Sequence, residues 1–285
     1  MPDIRLIQRR IKSVTSTARI TKAMEMVASS KMRKAQQRVL ASRPFAVKMG
    51  ELLGHLAAQV PQGEALHPLL VQRTPRRIGV IHITADRGLL GSLNANMNRR
   101  TASFILSQEI PTTLITVGRK GREFMVRYGR DVRAEFTGFG EQPGILDIAP
   151  IAQIVIADYL EERYDQVYLA YTEFVSTMSQ RPVIQRLLPV EPLHPGGSYL
   201  VDFLYEPSPA AVMAQLLPRF VEMEIYHAIL EHISSEQSAR MVAMRNATEN
   251  AKELIDDLTL TYNKARQESI TKELLDIVGG AAALA

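Results

Sequence analysis

The N-terminal stretch of the chain has little choice but to form one long helix. Between Pro2 and Pro44 there is no proline, and the first glycine is Gly50. Apolar or small residues fall at Ile4, Ile7, Ile11, Val14, Ala18 and Thr21, then at Ala28, Met32, Ala35 and Val39. The steps alternate three and four, the heptad seam of a helix that winds on another helix. That register expects a core residue at position 25 and meets Glu25. A lone carboxylate on a seam either faces solvent or meets something other than a partner helix.

The C-terminal stretch reads the same way. Ser208-Pro209 has the form of an N-cap followed by proline at the first helical position. A second seam then runs Leu230, Ile233, Gln237, Arg240, Met244, Ala247, Ala251, Leu254, Leu258, Thr261 and Ala265. Small residues dominate both seams, so the helices can approach closely with modest burial per layer. At 1.5 Å per residue the two helices measure roughly 75 and 105 Å. An antiparallel pair from a common base leaves the C-terminal helix about 30 Å longer. The overshoot ends in Leu274-Leu275-Asp276-Ile277-Val278-Gly279-Gly280 and a run of alanines to Ala285. That tail is too short to span a membrane and too apolar for water, and it calls for an apolar sleeve on another chain.

The middle has another rhythm. Residues 78–83, 113–117, 166–171 and 182–188 carry strand patterns. Residues 92–108, 121–128 and 148–162 carry helical ones. The alternation predicts an α/β layer on a parallel sheet. The expected fold is α+α/β: a long antiparallel coiled coil of the terminal helices with an inserted Rossmann-like α/β domain. The segments are 1–58, 76–200 and 208–285.

Charge divides along the same lines. Residues 1–50 hold 12 Lys+Arg and 2 Asp+Glu, residues 201–285 hold 7 and 13, and the middle balances at 15 and 15. A basic end invites an acidic partner, or the acidic end of the same chain. Zero cysteines exclude disulfides, Cys-ligated metal and thiol nucleophiles.

Three chemistries bear on these residues. The loop Thr84-Ala85-Asp86-Arg87-Gly88-Leu89-Leu90-Gly91-Ser92 follows a strand and opens a helix. It is neither G-x-G-x-x-G nor a P-loop, and it reads better as a structural turn with Ser92 as cap. His55, His67, His82, His194, His227 and His232 form no metal or triad motif. The cations Arg9, Arg10, Lys12, Arg19, Lys22, Lys31, Arg33, Lys34 and Arg38 could neutralise phosphates. They are interleaved with the seam, however, where a basic-zipper protein separates the two. Residues 1–30 are acid-poor like a transit peptide, yet the seam runs on to Val39. A nucleotide-binding α/β enzyme and a basic coiled-coil nucleic-acid binder stay open as alternatives.

Five stretches carry a resemblance. Residues 10–36, R-I-K-S-V-T-S-T-A-R-I-T-K-A-M-E-M-V-A-S-S-K-M-R-K-A-Q, resemble the N-terminal helix of the gamma subunit of rotary, F-type ATP synthases. Residues 270–283, I-T-K-E-L-L-D-I-V-G-G-A-A-A, fit that family's C-terminal signature, and residues 235–251 and 177–182 match too. D-R-G-L-L-G-S-L-N at 86–94 resembles the family's loop, with Leu90 and Ser92 in place of the usual small residue and glycine.

The resemblance implies the central rotor shaft of a proton-translocating ATP synthase. The shaft couples rotation of the c-ring to conformational cycling of the beta subunits in a hexamer of alpha and beta. The partners implied are three alpha, three beta, the epsilon subunit and the c-ring, with no nucleic acid. The chain itself is non-catalytic, with no catalytic residue, metal or bound cofactor. Residues implied to meet the beta lever and catch loop are Met24, Lys22, Arg240, Gln237, Gln267, Thr271 and Glu273, with Lys31 and Arg33 contributing charge. Tyr205 is placed in the foot near the c-ring. The expected location is peripheral, on the cytoplasmic face of a bacterial plasma membrane, since the chain starts at Met1 without a leader.

Overall fold

The computed structural model describes residues 4–59, 67–191 and 205–284. Residues 192–200 of the expected α/β segment, with His194, and Ala285 lie outside them. Two helices dominate: α1, Ile4–Gln59, of 56 residues, and α5, Pro209–Leu284, of 76. Each contains a proline, Pro44 and Pro218. The chain divides into two compact units, residues up to Ala28 with those from Arg240 onward, and residues 29–239.

In the first unit the two helices run antiparallel. The step up α1 from Thr21 to Glu25 is matched by a step down α5 from Thr248 to Arg245, which are their partners. Ile7, Thr21, Glu25 and Ala28 are buried, and Ile4, Ile11, Val14 and Ala18 half-buried, as the seam on α1 expects. On α5 the seam lies partly one residue away from the expected line. Thr248, Ile255 and Tyr262 turn inward, while Leu254 and Thr261 are exposed. Both lines alternate three and four, so periodicity alone could not choose. The Thr248 hydroxyl, 2.8 Å from that of Thr21, belongs to the line that is buried. Carried along this register, Ile4 stands level with Ala265, the last buried position of α5 among the described residues.

The second unit holds a five-stranded sheet in the order β3-β2-β1-β4-β5. The strands are β1 Ile78–Ile83, β2 Thr112–Val117, β3 Val132–Phe136, β4 Gln166–Ser176 and β5 Ser179–Leu188. The helices between them are α2 Leu93–Ser107, α3 Arg119–Arg127 and α4 Ile145–Leu160. Strand alternation feeds two cores. Ile78, Val80, Leu114 and Ala170 pack with Met97 and Ile105 of α2 and Met125 of α3. Ile81, Ile83, Ile115, Val167 and Leu169 pack with Ile151, Val155 and Tyr159 of α4, Leu217, Val221 and Ile225 of α5, and Leu53 of α1. Each such aliphatic side chain contributes about 1.5–3 kcal/mol by leaving water.

The sheet is not wholly parallel. β5 runs antiparallel to β4, because the turn at Thr177-Met178 is far too short for a parallel crossover. β3 was not expected: its sequence V-R-A-E-F alternates half-buried with exposed residues, charges included, as an edge strand does.

Candidate functional site

The first place to look is the carboxyl end of the parallel strands, where open α/β sheets hold ligands at the point at which strand order reverses. Here that point lies between β1 and β4, and the chain's own side chains fill it. Asp86 Oδ1 accepts the N–H of Arg119 at the start of α3 at 2.9 Å, and its Oδ2 accepts the N–H of Gly138 at 2.8 Å. A helix N-terminus that could receive a phosphate thus already holds a carboxylate. The Ala85 N–H donates to Asn94 Oδ1 at 3.2 Å and the Gly121 N–H to Thr84 Oγ1 at 2.8 Å. Ser92, expected as the cap of α2, makes no side-chain cap bond; its carbonyl accepts the Asn96 N–H instead.

On the β4 side α5 closes the crevice with a polar collar. Ser235 Oγ donates to the Thr172 carbonyl at 3.1 Å, Ser238 Oγ to that of Thr177 at 2.7 Å, and Glu231 Oε2 accepts the Phe174 N–H at 3.0 Å. Ala239 packs on Ala85, Leu90 and Leu93. Two histidines are buried in this region. His82 Nε2 meets Asn98 Oδ1 at 2.8 Å, and its Nδ1 meets the Thr101 hydroxyl at 3.1 Å. Burial lowers His82 to about 4, against the opposing hydrogen bond of Asn98. Burial, then the charge of His82, lowers His232 to about 3. Both rings are buried away from any substrate, and among the described residues no three His, Asp or Glu side chains gather as metal ligands.

The second place is the coiled coil. Glu25 is neither solvent-facing nor turned away from the partner helix: it is buried, takes Lys22 Nζ at 3.0 Å, and lies 3.7 Å from Arg245 Nε on α5. A carboxylate on a seam is tolerable because two cations meet it. Met24 beside it and Arg240 are half-buried. Gln237, expected to face outward, is buried. Gln267, Thr271 and Glu273 are exposed, and the Thr271 hydroxyl donates to the Gln267 carbonyl at 2.9 Å. The helix sets Arg240 about 40 Å from Gln267.

Past Ala265 no residue of α5 is buried among the described residues, and Leu274, Leu275, Ile277 and Val278 stand 57 to 68% exposed. In the other unit, Lys31 pairs with Glu141 and Arg38 bonds Gln142, so part of the basic face is engaged within the chain, while Arg33 is exposed. Tyr205 is half-buried against the larger core, and burial raises its hydroxyl.

Sequence reasoning missed the Asp86 anchor, the Glu25–Arg245 pair and the collar on α5. Asp86 gave no signal beyond its place after a strand and at the head of the D-R-G-L stretch. The collar had one: Glu231, His232, Ser234, Ser235, Gln237 and Ser238 crowd a helix whose neighbours are apolar.

Comparison with known proteins follows the same outline. The family model described as ATP synthase matches residues 3–284. The chain is 58% identical over 285 residues to the ATP synthase gamma chain of Dehalococcoides mccartyi (strain 195), covering 100% of both. It is 50% identical over 288 residues to the gamma chain of Roseiflexus castenholzii, covering 100% of this chain and 99% of that one. Among solved structures, a chain of the central stalk and c-ring of the Tetrahymena thermophila mitochondrial ATP synthase aligns with a TM-score of 0.62 at 27% identity. That alignment covers 80% of this chain and 99% of that one. A chain of the Euglena gracilis mitochondrial ATP synthase aligns with a TM-score of 0.70 at 22% identity, covering 99% of this chain and 94% of that one.

Proposed function

The chain belongs to the ATP synthase gamma chain family, and we propose that it is the central shaft of a rotary, proton-translocating ATP synthase. The single observation that carries the reading beyond the family is the end of α5. A helix that outruns its antiparallel partner and presents Leu274, Leu275, Ile277 and Val278 to the outside requires an apolar housing on other chains.

In this reading the chain stands in a hexamer of alpha and beta subunits, with epsilon and the c-ring as its other partners. Turning of the c-ring turns the shaft, and its unequal faces move each beta subunit in turn through open and closed states. The chain supplies shape and charge, not chemistry: nucleotide hydrolysis and synthesis belong to its partners, and it holds no cofactor. Met24, with the charge of Lys22 beside it, meets the beta lever; Arg240, with Gln267, Thr271 and Glu273, meets the catch loop. Lys31 and Arg33 add charge, and Tyr205 belongs to the foot toward the c-ring. The protein is peripheral to the membrane through the c-ring, on the cytoplasmic side in a bacterium. No helix of the described residues is long and apolar enough to cross a membrane.

The test is reconstitution. The purified chain should not hydrolyse ATP, and mixing it with alpha and beta subunits should restore ATPase activity that neither sample shows alone. Hydrolysis by the pure chain, or an assembly indifferent to its addition, would overturn the proposal.

A further inference from the structure

The middle of the chain is neutral only in sum. α2 and α3 pack side by side on one face of the sheet, the face that holds Ile78, Val80 and Leu114. Together with the turn after α3 they carry Arg99, Arg100, Arg119, Lys120, Arg122, Arg127 and Arg130 against one acid, Glu123, a net charge of +6. Lys120 pairs with Glu123 and Arg122 with Glu135 of β3. Arg99, Arg100, Arg119 and Arg127 are exposed and Arg130 is half-buried. Among the described residues none of these five makes an ion pair with a carboxylate. The local field is one-sided: the hydrogen bond from Lys120 comes first in holding Glu123 below the usual carboxylate range, and the charges of Arg119 and Arg127 add to it.

The cations are interleaved with apolar side chains. Leu106 is 70% exposed, Tyr128 64% and Val126 52%. At helical spacing Arg99, Ser103 and Leu106 share one stripe of α2, and Arg119, Arg122 and Val126 share one stripe of α3. The Tyr128 ring is steadied by Phe124, with ring centres 4.6 Å apart. Six of the seven cations are arginine, whose planar fork grips a carboxylate with two parallel hydrogen bonds where lysine offers a point charge. A membrane-surface helix shows a broad continuous apolar face; here three apolar side chains stand apart on helices of 15 and 9 residues.

We propose that the outer face of α2 and α3 docks an acidic, amphipathic polypeptide segment of a neighbouring subunit. Arg99, Arg100, Arg119, Arg127 and Arg130 take its carboxylates, and Leu106, Val126 and Tyr128 take its apolar side chains. This rests on the chain being part of a multi-subunit rotor, as proposed above. Charges at such a rim govern the rate and salt dependence of docking, and the apolar contacts govern its lifetime.

The chain has no cysteine, so Val126→Cys supplies a unique thiol on this face. Its alkylation by a maleimide is to be timed in the isolated chain, in the lipid-free assembly with alpha, beta and epsilon, and in the whole enzyme in vesicles containing phosphatidylglycerol. The expected result is a rate at least about tenfold slower in the lipid-free assembly than in the isolated chain, a difference of about 1.4 kcal/mol. That protection should weaken with salt, and R99E/R127E should abolish it. Should R99E/R127E melt below the parent, R99Q/R127Q replaces it and should halve the protection at least. Equal rates in chain and lipid-free assembly overturn the proposal. So does protection that appears only in vesicles, where the occupant would be lipid or a membrane-embedded subunit and not a segment of alpha, beta or epsilon. ATPase activity restored by the same Val126→Cys sample shows that the rotor reading stands whichever result is found.

Discussion

The hydroxyls of Thr21 and Thr248 meet 2.8 Å apart across the buried seam between α1 and α5. Each also reaches back to a carbonyl of its own helix, Ala18 at 3.1 Å and Met244 at 2.8 Å. Removing one hydroxyl leaves the other short of a partner in a buried site; removing both does not. Thr21→Val and Thr248→Val should each destabilise the chain by about 1 kcal/mol, and the double variant by less than their sum. Urea unfolding of the four proteins in the cycle measures the coupling.

Asp86 ties the ends of three strands together through Arg119 and Gly138. Asp86→Ala should lower stability by about 1–3 kcal/mol, since two backbone donors lose a charged acceptor. Asp86→Asn, which keeps one acceptor, should lose less. Thermal melting separates the two, and an unchanged melting point in both would show that the anchor is dispensable.

His82 and His232 are neutral in the fold, with values of about 4 and about 3 against 6.5 when free. Between those values the unfolded chain binds more protons than the native one. Stability is therefore full above pH 6.5 and declines as pH falls from 6.5 toward 4 for His82 and toward 3 for His232. The decline reaches up to about 1.4 kcal/mol per pH unit for each histidine. His232 has neither ring nitrogen hydrogen-bonded within the described protein. His232→Leu should consequently flatten the acid slope and leave stability at neutral pH equal or higher. Denaturant midpoints followed through this pH window measure both effects.

Arg240 is half-buried on α5, and Gln267, further along the same helix, is exposed. Arg240→Ala should reduce the ATPase activity or coupling of the assembled complex more than it lowers the melting point of the isolated chain. Equal losses in the two assays would make Arg240 a structural residue only.

Replacing Leu274, Leu275, Ile277 and Val278 together by Ser should leave the melting of the isolated chain within about 0.5 kcal/mol, because these side chains are already in water. The same variant should weaken the assembled complex, read as faster loss of activity on heating. A tail that serves no housing would change neither.

Much of this fold was legible because period and punctuation are strong signals. The proline- and glycine-free N-terminus gave α1 and its buried line through Ala28, Met32, Ala35 and Val39; Ser208 does accept the N–H of Ala211 at the start of α5. β1 coincides with its apolar run of six, all buried. What stayed hidden depended on partners distant in sequence. Glu25 reads as a flaw until Arg245 arrives from the other end of the chain. The inward line of α5 could not be told from its neighbour, since Ala247 and Thr248, or Leu254 and Ile255, serve a seam equally well by type. β3 is short, charged and on an edge, where burial leaves little imprint on sequence. Among the implied contact residues, Met24 and Glu273 owe their selection to motif resemblance; nothing in their own burial marks them out.

The fully buried positions between α1 and α5 in the first unit are mostly alanine and threonine, with Glu25 among them, and the large apolar side chains of the seam are mostly half-buried. Such a joint gains little from expelling water, so in isolation it should be the part of the molecule that opens soonest and exchanges its amide protons fastest. A component of this kind receives its stiffness from whatever surrounds it.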